Sequence, residues 1–246
     1  MATIHFVLQG KGGVGKSFIA SLLVQYLKLK GCAVDAIDTD PVNNTLAGYK
    51  EFDVSILPIL RENNVDPRMF DSLMETALGL PEDAHLVIDN GASSFIPLCS
   101  YLLENEAINL LQAEGHTVML HSVVTGGQGI MDTVNGLAAL AKYFPEAHLA
   151  VWLNPKDGEI ALDGLTFYDF KVFKEYGNSF HSVIELPHRN TATFGKDLSD
   201  HLARRLSFDA AINSSQPIMV RRRLSKYWDD VVAIMDRANL LMGRAA

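Results

Sequence analysis

Residues 10–17 read GKGGVGKS and match the pattern G-x-x-x-x-G-K-[ST], which is typical of loops that bind nucleotide phosphates. Glycines let backbone N–H groups approach phosphate oxygens without obstruction, and a helix that begins here adds its positive N-terminal end. In such a loop Lys16 neutralises the outer phosphates and the Ser17 hydroxyl ligates Mg²⁺. The loop carries a second lysine, Lys11, which phosphate binding alone does not require.

The same loop contains a competing pattern. Three glycines within residues 10–15 also form G-x-G-x-x-G, and Asp38 follows about 23 residues later, as in dinucleotide-binding sites. A dinucleotide site does not need Lys-Ser directly after the third glycine, whereas a triphosphate–Mg²⁺ site does. A triphosphate site also needs carboxylates near the metal, and Asp40 and Asp89 supply them. The loop is therefore interpreted as a P-loop.

A parallel sheet must position these residues, because strands and helices alternate along the chain. A strand over 4–9, the Gly-rich loop, a helix over 17–31 and a strand over 32–38 form one βαβ unit. Further strands are predicted at 54–60, 85–89, 116–124, 148–154 and 180–187, and helices at 66–80, 98–115, 131–144 and 225–241. The sequence predicts an α/β fold with a doubly wound, mostly parallel sheet and helices on both faces, forming a single domain over residues 1–246.

Ligands of such sheets bind beyond the carboxyl ends of the strands. Candidate residues at these ends are Asp38, Asp40, Asp89 and Asn154. Each could separately cap a helix or a turn, but three carboxylates beside a P-loop favour a metal–nucleotide site. Asn154 begins NPKD, in which Asp157 keeps GTP open as an alternative to ATP. The segment TGGQG, residues 125–129, is interpreted as a turn that ends a strand.

The composition limits the classes of protein that the chain can represent. It has 246 residues, a formal net charge of −8, and two cysteines without a CxxC pattern. These features disfavour a globally basic nucleic-acid binder, a disulfide framework and a zinc site. The chain begins without a basic leader and has no apolar run of membrane-spanning length. We therefore expect a cytoplasmic protein with no membrane insertion.

Several motifs, taken in order, resemble those of one family. KGGVGKS resembles the deviant Walker A motif of the ParA/MinD-type P-loop ATPases, and Asp38-Thr39-Asp40-Pro41 resembles that family's D-x-D-P. HLVID, VWLN and IELP resemble its strands that end beside the metal and beside the base. Within the family, IHFVLQGKGGVGKS, IDTDPVNNT, IDNGASSF and VVTGGQ resemble the TraL-type proteins encoded with plasmid conjugation systems.

The resemblance implies ATP and Mg²⁺ as ligands and gives each motif residue a role. Ser17, Asp40 and Asp89 are implied at the metal, with Asp40 also orienting the attacking water, and Asn154 is implied to read the base. The implied nucleotide-binding residues are Gly12, Gly13, Val14, Gly15, Lys16, Ser17, Phe18, Asn154 and Pro187. The residues implied to support the two switch loops are Asp38, Pro41, Asn44 and Gly91.

Lys11 has a distinct role in the resemblance. It corresponds to the signature lysine that reaches across an ATP-dependent homodimer to the partner's phosphates, so hydrolysis would wait for dimerisation. The implied catalytic residues are Lys11, Lys16 and Asp40. Both switch loops depart from the family pattern: Val42 and Asn43 replace a Gln and a Gly, and Asn90-Gly91-Ala92-Ser93 follows Asp89 without the usual proline.

Other functions remain open at this level. The chain could be a nucleotide-binding regulator with little hydrolysis, or a metabolic enzyme of ligase or reductase type on the same scaffold. An iron-protein reductase needs two cluster cysteines beyond the second switch, and only Cys99 lies there. The partner could be a conjugation or partition protein.

Nonspecific DNA is another candidate partner. Its binding site would be the arginines at 204, 205 and 221–223, for which a solvated helix end is the other interpretation. The helix over 225–241 mixes acidic and basic residues on its polar face, so it is expected to pack against the sheet rather than bind a membrane.

Overall fold

The computed structural model describes residues 1–40 and 42–242. Its central element is a seven-stranded sheet in the order β11-β8-β7-β1-β6-β2-β3, in which all paired strands run parallel. The strands of this sheet are β1 (Thr3–Leu8), β2 (Ala33–Asp38), β3 (Ser55–Ile56), β6 (Ala84–Asp89), β7 (Thr117–Thr125), β8 (His148–Asn154) and β11 (Phe180–Glu185). The predicted doubly wound parallel sheet is confirmed.

Helices cover both faces of the sheet. They are α1 (Lys16–Leu29), α2 (Phe70–Leu78), α3 (Phe95–Glu104), α4 (Ala107–Ala113), α5 (Ile130–Tyr143), α6 (Lys171–Tyr176), α7 (Lys196–Arg204), α8 (Phe208–Ile212) and α9 (Ile218–Arg237). One core cluster joins the sheet to α2, α3, α4 and α5, and a second joins it to α1, α8 and α9. Successive strand side chains point to opposite faces, so Phe6 enters the first core and Val7 the second.

Three predicted elements differ from the structure. The single helix expected over 98–115 is two helices, because Glu106 has a left-handed backbone (φ 46°) between α3 and α4. The strand expected over 54–60 is reduced to two residues of β3 before Pro58, which cannot donate to a ladder. The helix expected from 225 begins at Ile218, directly after Pro217, whose fixed φ suits a helix start.

Two hairpins were not predicted. The strands β4 (Leu60–Arg61) and β5 (Asn64–Val65) form the first, and β9 (Ala161–Leu162) and β10 (Leu165–Thr166) form the second. With two residues per strand, neither has enough alternating sequence to give a period-two signal. Both lie outside the central sheet.

The last long helix packs as expected. Leu224, Val231 and Met235 of α9 are buried in the second core cluster. Within the described residues, no helix is long and apolar enough to cross a bilayer.

A chain of buried histidines crosses the middle of the sheet. The Trp152 indole N–H lies 3.0 Å from Nδ1 of His121, Nε2 of His121 lies 3.0 Å from Nδ1 of His5, and Nε2 of His5 lies 3.0 Å from Nδ1 of His85. An indole N–H can only donate, so each neutral ring in turn accepts at Nδ1 and donates from Nε2. Burial lowers the pKa of His121 to about 3 and holds the pKa of His5 well below its ordinary value.

We expect the buried histidines to make the folded protein less stable in acid. Below about pH 6.5 the histidines of the unfolded protein become protonated, whereas the buried rings of His5, His121 and His201 stay neutral in the folded protein because their pKa values are lowered. The free energy of unfolding is therefore highest above that pH and falls as the pH falls. Asp89, whose pKa burial raises to about 7, opposes the trend by about one proton. The free energy of unfolding, measured with urea at pH 7, 6 and 5, should fall by roughly 1–3 kcal/mol per pH unit.

A matched variant tests the origin of this slope. His121→Gln keeps an acceptor for Trp152 but removes one titrating ring. The free energy of unfolding should therefore depend less steeply on pH, by an amount that corresponds to about one proton. A stability that stays flat or rises as pH falls in the unmodified chain would contradict the prediction.

Candidate functional site

The P-loop connects β1 to α1, and its backbone needs glycine at two positions. Gly13 and Gly15 have φ of +77° and +105°, in the region that residues with side chains rarely adopt. A Cβ atom at Gly15 would lie 2.6 Å from the side-chain nitrogen of Asn154. The loop therefore folds tightly at the start of α1, with backbone amides available at the positive end of the helix.

Lys16 lies inside this loop. Its side chain is buried, and Nζ donates to the carbonyl oxygen of Lys11 at 3.1 Å. Burial lowers its pKa, while the nearby carboxylates of Asp89 and Asp40 act in the opposite direction. A buried ammonium group facing two carboxylates is suited to neutralising phosphate oxygens.

Asp38 organises the loop that follows β2. Its carboxylate accepts the backbone N–H groups of Asp40 and Ala47, both at 3.0 Å. Burial raises its pKa, and these two hydrogen bonds oppose that rise. Asp38 therefore holds the backbone of this loop, and its role in support of a switch stays a prediction. Asn44 adopts a left-handed backbone (φ 41°), which asparagine tolerates, and Pro41 lies outside the described residues.

Asp40 is held by its own loop. Its Oδ1 accepts the backbone N–H groups of Val42 at 2.9 Å and Asn43 at 3.2 Å, and Oδ2 accepts the side-chain amide of Asn43 at 3.3 Å. Asp40 lines the cavity next to the P-loop, but its carboxylate accepts hydrogen bonds from the turn that follows Asp40. The residues that replace the family's Gln and Gly are thus the ones that bind Asp40.

Asp89 has the features of a metal-facing carboxylate. It is fully buried, and among the described residues no donor meets either oxygen at normal hydrogen-bond geometry. Burial raises its pKa to about 7, while the neighbouring Ser17 hydroxyl and Lys16 favour the charged form. A buried carboxylate beside a hydroxyl, with lone pairs left over, fits the few protein ligands that Mg²⁺ takes when phosphates supply the others.

The two switch loops contact each other at Gly91. A Cβ atom at this buried glycine would lie 3.0 Å from Cα, Cγ and Oδ1 of Asp40. Thr39 adds a second contact, because its hydroxyl donates to the carbonyl oxygen of Asp89 at 3.1 Å and lies 3.1 Å from the Oδ1 atom of Asn90. Sequence reasoning gave no role to Thr39 and Asn90, since Thr39 occupies the variable position of D-x-D-P and Asn90 lies in a segment that departs from the family pattern.

We expect Gly91→Ala to displace Asp40. The added methyl group would press on the Asp40 backbone as well as its carboxylate, so the whole loop must shift. The ATP turnover that the family resemblance implies should then fall about tenfold or more, because small misplacements of a positioning group have large effects. Steady-state phosphate release measures this, with Gly115→Ala as a control: its added Cβ meets nothing within 4 Å but its φ of +86° strains alanine, so it shows what a destabilised glycine site away from Asp40 does to turnover. Unchanged turnover in Gly91→Ala would contradict the expectation.

Two adjoining cavities surround the P-loop. The first, of about 590 Å³, is lined by Gly12, Gly13, Lys16, Ser17, Asp40 and Tyr49 among others. The second, of about 640 Å³, is lined by Asn154, Lys156, Pro187, Arg189, Phe194 and Leu198 among others. Both include Gly15, Phe18 and Leu202, so they meet at the start of α1. Their sizes are typical of ligand sites.

The cavities bring most of the predicted residues together. Phe18, Asn154 and Pro187 all line the second cavity, as expected for residues near a base. Asn154 also donates from its side-chain nitrogen to the carbonyl oxygen of Val14 at 2.9 Å, so this nitrogen holds the backbone of the P-loop. Sequence reasoning missed the wall formed by residues 188–202, because that segment carries no recognisable motif.

Lys11 points away from these cavities. Its Nζ forms an ion pair with Asp132 of α5 at 2.9 Å, and the two side chains are 44% and 57% exposed. The carbonyl group of Lys11 contacts the loop's own Lys16, but the ammonium group does not. A reach toward a partner's phosphates stays a prediction.

Much of the basic run near the C-terminus contacts its own chain. Arg223 pairs with Asp197, Arg221 donates to the carbonyl oxygen of Ile212, and Arg205 lies against Gly48. Arg204, Arg205 and Arg222 are exposed. The surface available to DNA phosphates is therefore smaller than the sequence suggests, and DNA binding stays a prediction.

Cys99 does not resemble a cluster ligand. It is partly buried on α3, and burial raises the pKa of its thiol to about 12. Metal-binding cysteines need the thiolate form. Within the described residues there is also no group of three or more His, Cys, Asp or Glu side chains placed to hold a metal ion. The sequence places only Cys99 beyond Asp89, whereas an iron-protein reductase needs two cysteines there.

The TGGQG segment forms the expected turn, and its glycines permit a close approach. Added Cβ atoms at Gly126 and Gly127 would lie 2.3 Å and 2.7 Å from carbonyl oxygens of Glu159 and Asp157. The end of β7 therefore packs directly on the loop after β8.

Comparison with known proteins identifies relatives over most of the chain. The family described as CobQ/CobB/MinD/ParA nucleotide binding domain matches residues 5–153, more than half of the sequence. A protein TraL of Escherichia coli is 48% identical over 226 residues, covering 91% of this chain and 93% of the relative. A second protein TraL of Escherichia coli is 43% identical over 243 residues, covering 98% and 100%.

Solved structures show the same fold at low sequence identity. The MinC:MinD cell division protein complex of Aquifex aeolicus superposes with a TM-score of 0.57 at 13% identity, covering 99% of this chain and 97% of that one. The septum site-determining protein MinD of Pyrococcus horikoshii, complexed with Mg-ADP, gives a TM-score of 0.50 at 16% identity, covering 97% and 99%.

Proposed function

Because the chain belongs to the CobQ/CobB/MinD/ParA family of nucleotide-binding domains, we propose that it is a Mg²⁺-dependent ATPase that switches between monomer and ATP-bound homodimer. It would act in plasmid conjugal transfer or in the maintenance of a plasmid or other cargo, in the cytoplasm. The observation that carries the proposal is the P-loop cavity, which the buried Lys16 lines together with Ser17, while the buried Asp89 carboxylate lies beside the Ser17 hydroxyl.

The phosphate end of the site supports nucleotide binding. The P-loop amides, the N-terminus of α1 and Lys16 converge on one cavity, and together they would stabilise the charge of a triphosphate. Asp89 and Ser17 would hold Mg²⁺, which neutralises phosphate charge when bound. The solved Pyrococcus horikoshii MinD carries Mg-ADP, which supports the same ligand class here.

The base end of the site supports ATP over GTP. A guanine-reading aspartate must present its carboxylate to the base. Asp157 instead pairs with Lys156 Nζ at 3.2 Å and accepts the Thr125 hydroxyl at 3.2 Å. Asp157 lines neither cavity, so it is poorly placed to select guanine, whereas Asn154 lines the second cavity.

The sequence relatives support the pathway. Both are named TraL and together they cover nearly the whole chain. We infer that the chain functions as a single P-loop NTPase domain over residues 1–246, and that its partner is a protein of a conjugation or partition system. The single central sheet with one core on each face supports the one-domain arrangement.

A second function is favoured by the position of Asp40. Its carboxylate is held by Val42 and Asn43, residues that differ from the family pattern, and it is not free to orient water in this conformation. A nucleotide-binding regulator with little hydrolysis would keep this arrangement with ATP bound. The two functions differ in turnover, not in affinity.

Equilibrium binding and turnover test the proposal together. The purified chain should bind a fluorescent ATP analogue with Mg²⁺, and binding should weaken when EDTA removes the metal. The rate of phosphate release per protein molecule should be higher at protein concentrations that allow dimerisation than in dilute protein. Binding without release would support the regulator, and absence of binding would overturn both functions.

A further inference from the structure

A third lysine contacts the P-loop from the wall of the second cavity. Lys156 lies in the turn after β8, and its Nζ donates to the carbonyl oxygen of Gly13 at 2.7 Å. Beside it, the side-chain nitrogen of Asn154 donates to the carbonyl oxygen of the next residue, Val14, at 2.9 Å. Two successive carbonyl groups of the loop are therefore held from the same side.

The position of Lys156 is fixed by its own neighbours. Its backbone N–H donates to Oδ1 of Asn154 at 3.3 Å, and its ammonium group pairs with Oδ1 of Asp157 at 3.2 Å. The Thr125 hydroxyl, which has one proton to donate, lies 3.2 Å from Oδ2 of Asp157 and 3.1 Å from the carbonyl oxygen of Asn154. A continuous series of contacts thus runs from the end of β7 to the P-loop.

The orientation of these carbonyl groups bears on phosphate binding. In a peptide unit the C=O and the following N–H point in opposite directions. Donors that hold the carbonyl groups of Gly13 and Val14 outward therefore keep the amides of Val14 and Gly15 turned the other way. The left-handed glycines at 13 and 15 make this part of the backbone easy to rotate when nothing holds it.

We propose that Lys156 is a positioning residue for nucleotide binding: it fixes the Gly13–Val14 peptide so that the P-loop amides converge on the phosphates. This inference rests on the proposed function. Lys156 itself contacts neither Lys16 nor the carboxylates of the metal side, and its ammonium group acts through the loop. The role is separate from those of Lys11 and Lys16.

Fluorescence titration with mant-ADP and Mg²⁺ tests the role, using four proteins: the unmodified chain, Lys156→Met, Lys156→Arg and the control Lys171→Met. Lys171 is exposed at the start of α6 and lines neither cavity. Lys156→Met should raise the dissociation constant roughly five- to tenfold, since a half-exposed charged hydrogen bond is lost. The change should come mainly from faster dissociation.

Two further measurements separate positioning from a structural effect. Lys156→Arg keeps a donor and a charge, so it should restore affinity to within about threefold of the unmodified chain. Turnover should show a raised KM with kcat largely retained, and urea unfolding without nucleotide should be unchanged in all four proteins.

The possible results are distinct. If the unmodified chain binds mant-ADP and Lys156→Met binds it equally well, the role of Lys156 is wrong while the proposed function stands. A loss that Lys156→Arg fails to restore, or a lower unfolding midpoint in Lys156→Met, would also overturn the positioning role. If the unmodified chain does not bind, the proposed function fails, and this inference fails with it.

Discussion

Replacing Lys16 by alanine is expected to weaken ATP binding by at least about thirtyfold. The side chain is 8% exposed and already desolvated, it lines the cavity that would hold the phosphates, and it feels the charges of Asp89 and Asp40. Lys16 and a bound phosphate would form a buried charge pair, and truncating one partner of such a pair costs about 2–5 kcal/mol, much of it from leaving the other charge unpaired. Isothermal titration with a non-hydrolysable ATP analogue and Mg²⁺ measures the loss directly.

A lysine on the same helix provides the control. Lys28 is exposed near the C-terminal end of α1, so Lys28→Ala removes the same group without reaching the cavity. It should bind the analogue with nearly the affinity of the unmodified chain. Equal affinities for Lys16→Ala and the unmodified chain would show that the nucleotide, if bound, lies elsewhere.

Replacing Lys11 by alanine is expected to have the largest effect on turnover and little effect on binding. The ammonium group lies outside the chain's own cavity and pairs with Asp132 on the surface, where it is available to a second copy of the chain. A cation supplied in trans to transferring phosphate contributes roughly 10³–10⁵ in rate. Phosphate release by Lys11→Ala should therefore fall by at least about a thousandfold, with ATP affinity of the monomer within a few fold.

Asp132→Asn distinguishes a role of the Lys11 ammonium group from a role of its ion pair with Asp132. This variant breaks the contact with Lys11 but keeps the ammonium group, and an exposed pair contributes little to stability. Its turnover should equal or exceed that of the unmodified chain. If Asp132→Asn and Lys11→Ala lose turnover alike, the ion pair matters and the trans role of Lys11 is wrong.

The sequence predicted those parts of the molecule that local patterns encode. The P-loop, the strand ends at Asp38 and Asp89 and the parallel sheet follow from glycine spacing, apolar runs and their alternation. Each of these signals lies within a few residues of the feature it predicts. The break between α3 and α4 was missed because the left-handed Glu106 is a poor marker; glycine is the usual residue there.

Contacts between distant segments could not be predicted in this way. Lys156 and Gly13 are 143 residues apart, and the histidine chain joins strands that lie up to 116 residues apart. Neither set of residues has a spacing that distinguishes it from ordinary core or surface positions. Likewise, Asp40 was expected to be free for water or metal, and its hydrogen bonds to Val42 and Asn43 depend on a loop geometry that no motif specifies.

Sedimentation velocity tests the proposed ATP-dependent switch most directly. The unmodified chain should sediment as a monomer with Mg-ADP and as a dimer with Mg²⁺ and a non-hydrolysable ATP analogue, whereas Lys11→Ala should remain monomeric with both. An unmodified chain that stays monomeric with the analogue, or a Lys11→Ala variant that dimerises and hydrolyses normally, would contradict the switch.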